Sequence, residues 1–194
     1  MANVFIVHGI YGNPKENWFP WLKKELTKLG HKVIVPQFPT PKDHSLKGWT
    51  ETLHKYKKFL TNNCVLIGHS LGGAFLLNIL QGQKTSKAIF VASVPGKIEN
   101  KFDSMMKDIT HRKFDFKKIQ ENCKKIHLIA SDNDEYIPLK ESERLAKKLH
   151  TKVTLVKNAG HFNERAGYKK FELLLKYFKN VKQPKKGSRK TKKS

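Results

Sequence analysis

The sequence predicts an α/β protein: a three-layer αβα sandwich on a six-stranded, mostly parallel sheet. Three observations predict it. Six short apolar runs alternate with stretches whose apolar residues recur at helical spacing. The runs are apolar throughout, the mark of strands covered on both faces. The polar loops that could carry chemistry follow these runs, where sites form in such sheets. At 194 residues the chain fits one domain with a substantial core.

The elements follow in order. Val4-Phe5-Ile6-Val7 is the first strand, leading into the loop His8-Gly9-Ile10-Tyr11-Gly12-Asn13-Pro14. Pro20 suits a first helical position, Leu22, Leu26 and Leu29 form a stripe, and Gly30 ends the helix. Val33-Ile34-Val35 is the second strand, and Pro36, Pro39 and Pro41 stiffen its exit. Ser45 caps a helix with the stripe Leu46, Trp49, Leu53, Tyr56 and Leu60. Cys64-Val65-Leu66-Ile67 is the third strand, followed by a sharp turn and a helix apolar nearly all round, closed by Gly82. Ala88–Val91 is the fourth. Residues 94–122 hold two short helices, near Phe102–Ile109 and Phe116–Asn122, and read as an insertion or small cap. Ile126–Ala130 is the fifth strand, Leu139–Leu149 a helix and Val153–Val156 the sixth strand. Phe171, Leu174, Leu175 and Phe178 mark the last helix. Residues 182–194 are rich in Lys, Pro, Gly and Ser with nothing to bury, which predicts a disordered basic tail after a domain of residues 1–181.

The turn after the third strand is Gly68-His69-Ser70-Leu71-Gly72-Gly73-Ala74. Gly68, Ser70 and Gly72 spell G-x-S-x-G, a strand–turn–helix motif that presents a serine on a tight bend. A serine hydroxyl becomes a useful nucleophile when a base takes its proton during attack. A histidine supplies the base, and a carboxylate fixes its tautomer. In hydrolases built on this motif the chain order is Ser, acid, His, here Ser70, Asp134, His161. His161 sits in a Gly-His loop after the last strand. His127 reads as a core residue, and His31, His44, His54, His111 and His150 as solvated. Asp134 stands four residues before Pro138, which favours it over Asp132, a turn carboxylate; Glu135 reads as solvated. Acyl transfer also needs N–H donors for the developing oxyanion. The Leu71 backbone N–H is one; Ile10 supplies the other, with Tyr11 as its alternative. Tyr11, Trp18, His69 and Phe162 are candidate substrate-binding residues. Phe19 and Trp49 could also line an acyl pocket, although Trp49 fits the core stripe.

Together, His8-Gly9, Gly68 to Gly73, the Asp134…Pro138 loop and Gly160-His161-Phe162-Asn163 resemble the α/β-hydrolase superfamily. More narrowly they resemble its small serine hydrolases of the retinoblastoma-binding-protein and YdeN type. The likeness spans Asn3 to Val181. It implies a compact version of the fold lacking the first two strands, with strand order 2-1-3-4-5-6. It also implies esterase-like activity through Ser70, Asp134 and His161.

Charge is the outlier: 39 Lys and Arg against 16 Asp and Glu, a net +23. Eight of those bases lie from Lys179 onward, yet the remainder is basic too. This favours solubility and weak, nonspecific polyanion contact through the tail, and specifies no substrate. Cys64 and Cys123 lack metal-type spacing and suit buried thiols of a reducing cytoplasm. The start Met-Ala-Asn enters a strand at once, which argues against a signal peptide, and no run approaches a membrane span. The expected function is a carboxylesterase-like serine hydrolase on a small ester or acyl substrate, with no metal or cofactor. The competing reading is a non-catalytic protein-binding module on the same fold.

Overall fold

The structure is a computed structural model and describes residues 1–178 apart from 43, 95, 99 and 100. The basic tail at 182–194 lies outside the described residues. Six strands, β1 (Asn3–Val7), β2 (Lys32–Ile34), β3 (Val65–His69), β4 (Lys87–Val91), β5 (Ile126–Ser131) and β6 (Val153–Val156), form one sheet. Every pairing is parallel and the order is β2-β1-β3-β4-β5-β6. The order reverses between β1 and β3, so the loops leaving those two strands flank a switch-point crevice.

The apolar runs form strands because both sheet faces are covered. Phe5, Val7, Leu66, Ala88, Phe90 and Leu128 face one buried cluster; Val4, Ile6, Val65, Ile67, Ile89, Val91 and Ile129 face another. Successive side chains alternate between the two, as the strand period requires. Helices α1 (Phe19–Lys28) and α7 (Glu172–Lys176) cover the second face. Helices α2 (Leu46–His54), α3 (Leu71–Leu80) and α6 (Leu139–Lys148) cover the first. Two further helices, α4 (Asp103–Thr110) and α5 (Phe116–Asn122), occupy the stretch between β4 and β5 and bury Met106, Ile109 and Ile119 against the same cluster.

Local chemistry sets the ends. Ser45 Oγ accepts from the Gly48 N–H at 3.0 Å, the N-cap of α2, and Asp115 caps α5 through the Lys118 N–H. Four sequence expectations are corrected. Leu29 is 49% exposed, because α1 has ended at Lys28 and Leu29 lies on the turn to Gly30. Helix α2 stops at His54, and the rest of its stripe, Tyr56 and Leu60, flanks a 3-10 turn at Lys57–Phe59. Helix α7 covers only five residues; Phe171 lies before it, at φ −146°, ψ 77°, outside the helix. His127 is half-buried rather than a core residue, its ring 4.4 Å from that of Tyr177.

Candidate active site

Strand β3 passes through Ser70 into α3, and Ser70 sits at φ 55°, ψ −123°. Glycines make that bend sterically feasible. A Cβ on Gly68 would lie 2.7 Å from the Gly72 carbonyl group, and one on Gly72 would lie 2.3 Å from the Val7 carbonyl oxygen. Strand β1, strand β3 and the start of α3 therefore touch backbone to backbone. The Ser70 N–H donates to the Val91 carbonyl at 3.0 Å, which ties the bend to β4. Among the described residues, the Leu71 N–H at the start of α3 has no acceptor.

The loop after β1 approaches as closely. A Cβ on Gly9 would lie 2.9 Å from Ser70 Cβ. His8, fully buried, organises this loop. Its Nε2 accepts from the Phe38 N–H at 3.0 Å, so the proton resides on Nδ1, which donates to the Gly9 carbonyl at 2.8 Å. The Gly12 N–H donates to the same carbonyl at 3.2 Å. In a trans peptide the carbonyl and the next N–H point oppositely, so fixing the Gly9 oxygen fixes the Ile10 N–H. That N–H has no acceptor among the described residues, whereas the Tyr11 N–H is committed to Thr40 Oγ1 at 2.7 Å. The geometry thus favours Ile10 over Tyr11 as a free donor. Burial holds the His8 imidazole below its ordinary pKa and keeps it neutral.

The loops after β5 and β6 bring Asp134 to His161. His161 Nδ1 lies 3.0 and 2.8 Å from the two Asp134 carboxylate oxygens. Asp134 Oδ1 also accepts from the Tyr136 and Ile137 N–H groups, at 2.8 and 3.0 Å. Donation by Nδ1 leaves the Nε2 lone pair available as a base. The His161 loop has its own supports, which sequence reasoning missed. The Ala159 N–H donates to Ser131 Oγ, and the Gly160 N–H donates to Asn133 Oδ1 at 2.7 Å. Asp132 accepts from the Asn158 N–H at 2.8 Å, a backbone-bonding role, and Glu135 pairs with Arg165 at 3.3 Å in solvent. His69 donates from Nε2 to the His161 carbonyl at 2.8 Å. Burial, with His161 and His8 nearby, presses the His69 pKa down to about 3, so His69 acts as a neutral donor.

Ser70 and His161 line one cavity of about 340 Å³. No hydrogen bond joins Ser70 Oγ to the imidazole. Such bonds are often loose before substrate arrives. Phe102 and Met106 from the α4 region, with Tyr136 and Ile137, supply an apolar wall. Glu16, Asn17 and Glu164 supply a polar one, and partial burial beside Glu164 raises the Glu16 pKa. Of the residues expected at the substrate, Tyr11 and His69 line the cavity. Trp18 and Phe162 do not, and neither do Phe19 and Trp49. Trp18 and Phe162 are fully buried beneath the His161 loop: Trp18 Nε1 donates to the Phe162 carbonyl at 3.0 Å, and Phe162 stacks on Phe171 at 5.1 Å. Phe162 takes a positive φ of 52°. Met106 and Glu16 were not anticipated, since nothing in their local pattern points to a cavity. Among the described residues no group of three or more His, Cys, Asp or Glu could hold a metal ion, and no helix is long and apolar enough to cross a membrane.

Comparison with known proteins agrees with the resemblance read from the motifs. A family model described as serine hydrolase matches residues 4–180. The putative hydrolase YdeN of Bacillus subtilis (strain 168) is 31% identical over 187 residues, 90% of this chain and 95% of that protein. Its crystal structure superposes with a TM-score of 0.83 at 30% identity, covering 92% of this chain and 99% of that one. The serine hydrolase RBBP9 of Rattus norvegicus is 22% identical over 146 residues, 75% of this chain and 77% of that protein. A crystal structure from work on carboxylesterases of the thaumarchaeon Nitrososphaera gargenis shares the fold, with a TM-score of 0.72 at 12% identity over 91% and 89% of the two chains.

Proposed function

We propose that this chain, which belongs to the serine hydrolase family, hydrolyses carboxylic esters through an acyl-enzyme on Ser70. The observation that carries the reading is the paired contact of His161 Nδ1 with Asp134, on a histidine that shares its cavity with Ser70. Ser70 Oγ attacks the ester carbonyl as its proton passes to His161 Nε2. The tetrahedral oxyanion accepts from the Ile10 and Leu71 N–H groups. Collapse breaks the bond to the alcohol oxygen, which leaves with the proton from His161. Water then attacks the acyl-enzyme, giving a proton to His161, and the second collapse releases the carboxylic acid and returns the proton to Ser70. This cycle uses side chains, two backbone N–H groups, substrate and water.

The apolar wall suits an acyl chain, and esterase neighbours of the same fold support an ester over an amide or thioester. Residues 94–122 act, on this reading, as a small cap over one hydrolase domain of residues 1–181. The buried free thiols Cys64 and Cys123 suit a reducing cytoplasm, and the basic tail a nonspecific polyanion contact. Turnover of p-nitrophenyl acetate and butyrate tests the proposal, with Ser70→Ala as control. A fluorophosphonate probe should label the parent chain at Ser70. Equal turnover by parent and variant, or a folded parent that resists the probe, would favour the binding-module reading.

A further inference from the structure

A second concavity of about 600 Å³ opens at the C-terminal end of α4, away from the Phe102 and Met106 side that faces Ser70. Six basic residues line it, from three places in the chain: Lys97 before α4, His111, Arg112 and Lys113 after it, and Arg144 and Lys148 on α6. Half-buried Phe114 and Phe116 sit among them, and no Asp or Glu among the described residues lines the cleft.

Two of the six are paired. His111 Nε2 is 2.9 Å from Asp103, and Arg144 is 2.6 Å from Glu141. Arg144 also donates to the Lys97 carbonyl at 3.1 Å, which joins the two walls. Lys97, Arg112, Lys113 and Lys148 have no ion-pair partner among the described residues. Lys148 Nζ instead lies 5.1 Å from the centre of the Phe116 ring. Unpaired like charges around one hollow repel, and an anion held between them removes that cost.

We propose that this cleft binds a polyphosphate chain, free or carried by a nucleotide. A single phosphate group brings a charge of about −1.5 to −2, too little for four unpaired cations, whereas linked phosphates balance them. A guanidinium fork at Arg112 and ammonium groups around it match phosphate oxygens. Half-buried Phe114 and Phe116 offer aromatic surface on which a nucleobase could stack.

Titration calorimetry on the full chain with tripolyphosphate, ATP and AMP tests this, at low and raised salt. Tripolyphosphate should saturate one site and weaken as salt rises, and AMP should bind far more weakly. The double variant Arg112→Glu/Lys113→Glu should weaken tripolyphosphate binding by at least about tenfold. Lys23→Glu/Lys24→Glu on α1 makes the same charge change on an exposed helix of the other face and should shift affinity less than about twofold. ATP binding more tightly than tripolyphosphate would assign the site to nucleotides; equal affinity would assign it to the phosphate chain alone. Unfolding midpoints establish that both variants fold. Equal weakening in the two variants, or heat that never saturates, overturns the proposal by making the attraction one of net charge.

Discussion

At the scale of single residues, the proposed reaction divides its labour unevenly. Ser70→Ala removes the attacking oxygen and should lower p-nitrophenyl butyrate turnover by about 10⁴-fold or more. Asp134→Asn preserves shape but lets the wrong His161 tautomer compete, and should cost about 10²- to 10⁴-fold in kcat. His8 touches no substrate; it fixes the Gly9 carbonyl and through it the Ile10 N–H. His8→Ala should therefore lower kcat by about 10- to 100-fold with little change in KM, as expected for a donor that matters in the transition state. His8→Asn, which keeps an N–H near that carbonyl, should retain more of the rate. Steady-state kinetics separates these outcomes.

At the scale of elements, the Ser70 bend depends on three backbones in contact. Gly72→Ala would drive a Cβ to 2.3 Å from the Val7 carbonyl oxygen, with no flexible side chain to yield. It should destabilise the fold by about 3 kcal/mol, read from the urea midpoint. Helix α4 begins beside Phe102, a half-buried ring on the cavity wall, so Phe102→Ala should raise kcat/KM for octanoate relative to acetate esters several-fold. Much of this architecture was legible in the sequence. Continuous apolar runs such as Val4–Val7 have few alternatives to a doubly covered strand, and the glycines around Ser70 announce close backbone contact. The Asp134 and His161 loops could be placed because each follows a strand. The aromatics could not be sorted in the same way: Trp18 and Phe162 carry the same chemistry whether they line a cavity or support a loop from below. Ser131 and Asn133 were equally silent, because polar residues after a strand read as an ordinary turn, and their bonds cross to a loop 27 or 28 positions away.

At the scale of the whole molecule, buried neutral histidines link stability to acidity. The His69 pKa is held at about 3 in the folded chain against an ordinary 6.5, and His8 is lowered by burial as well. Below pH 6.5 the unfolded chain binds protons that the folded chain refuses. Their contribution is therefore complete above that pH and is lost as pH falls toward the folded values. His69 alone should remove up to about 1.4 kcal/mol per pH unit over that window. The unfolding midpoint of the parent should drop between about pH 7 and about pH 5. His69→Gln, which keeps an N–H toward the His161 carbonyl, should flatten the curve. The φ of 55° at Ser70 bears on the same free energy from another side. A side chain held there costs about 1–3 kcal/mol that glycine would avoid. Ser70→Gly should then melt above Ser70→Ala, although both lack the hydroxyl. Serine is thus not the residue that thermal endurance alone would choose at this position.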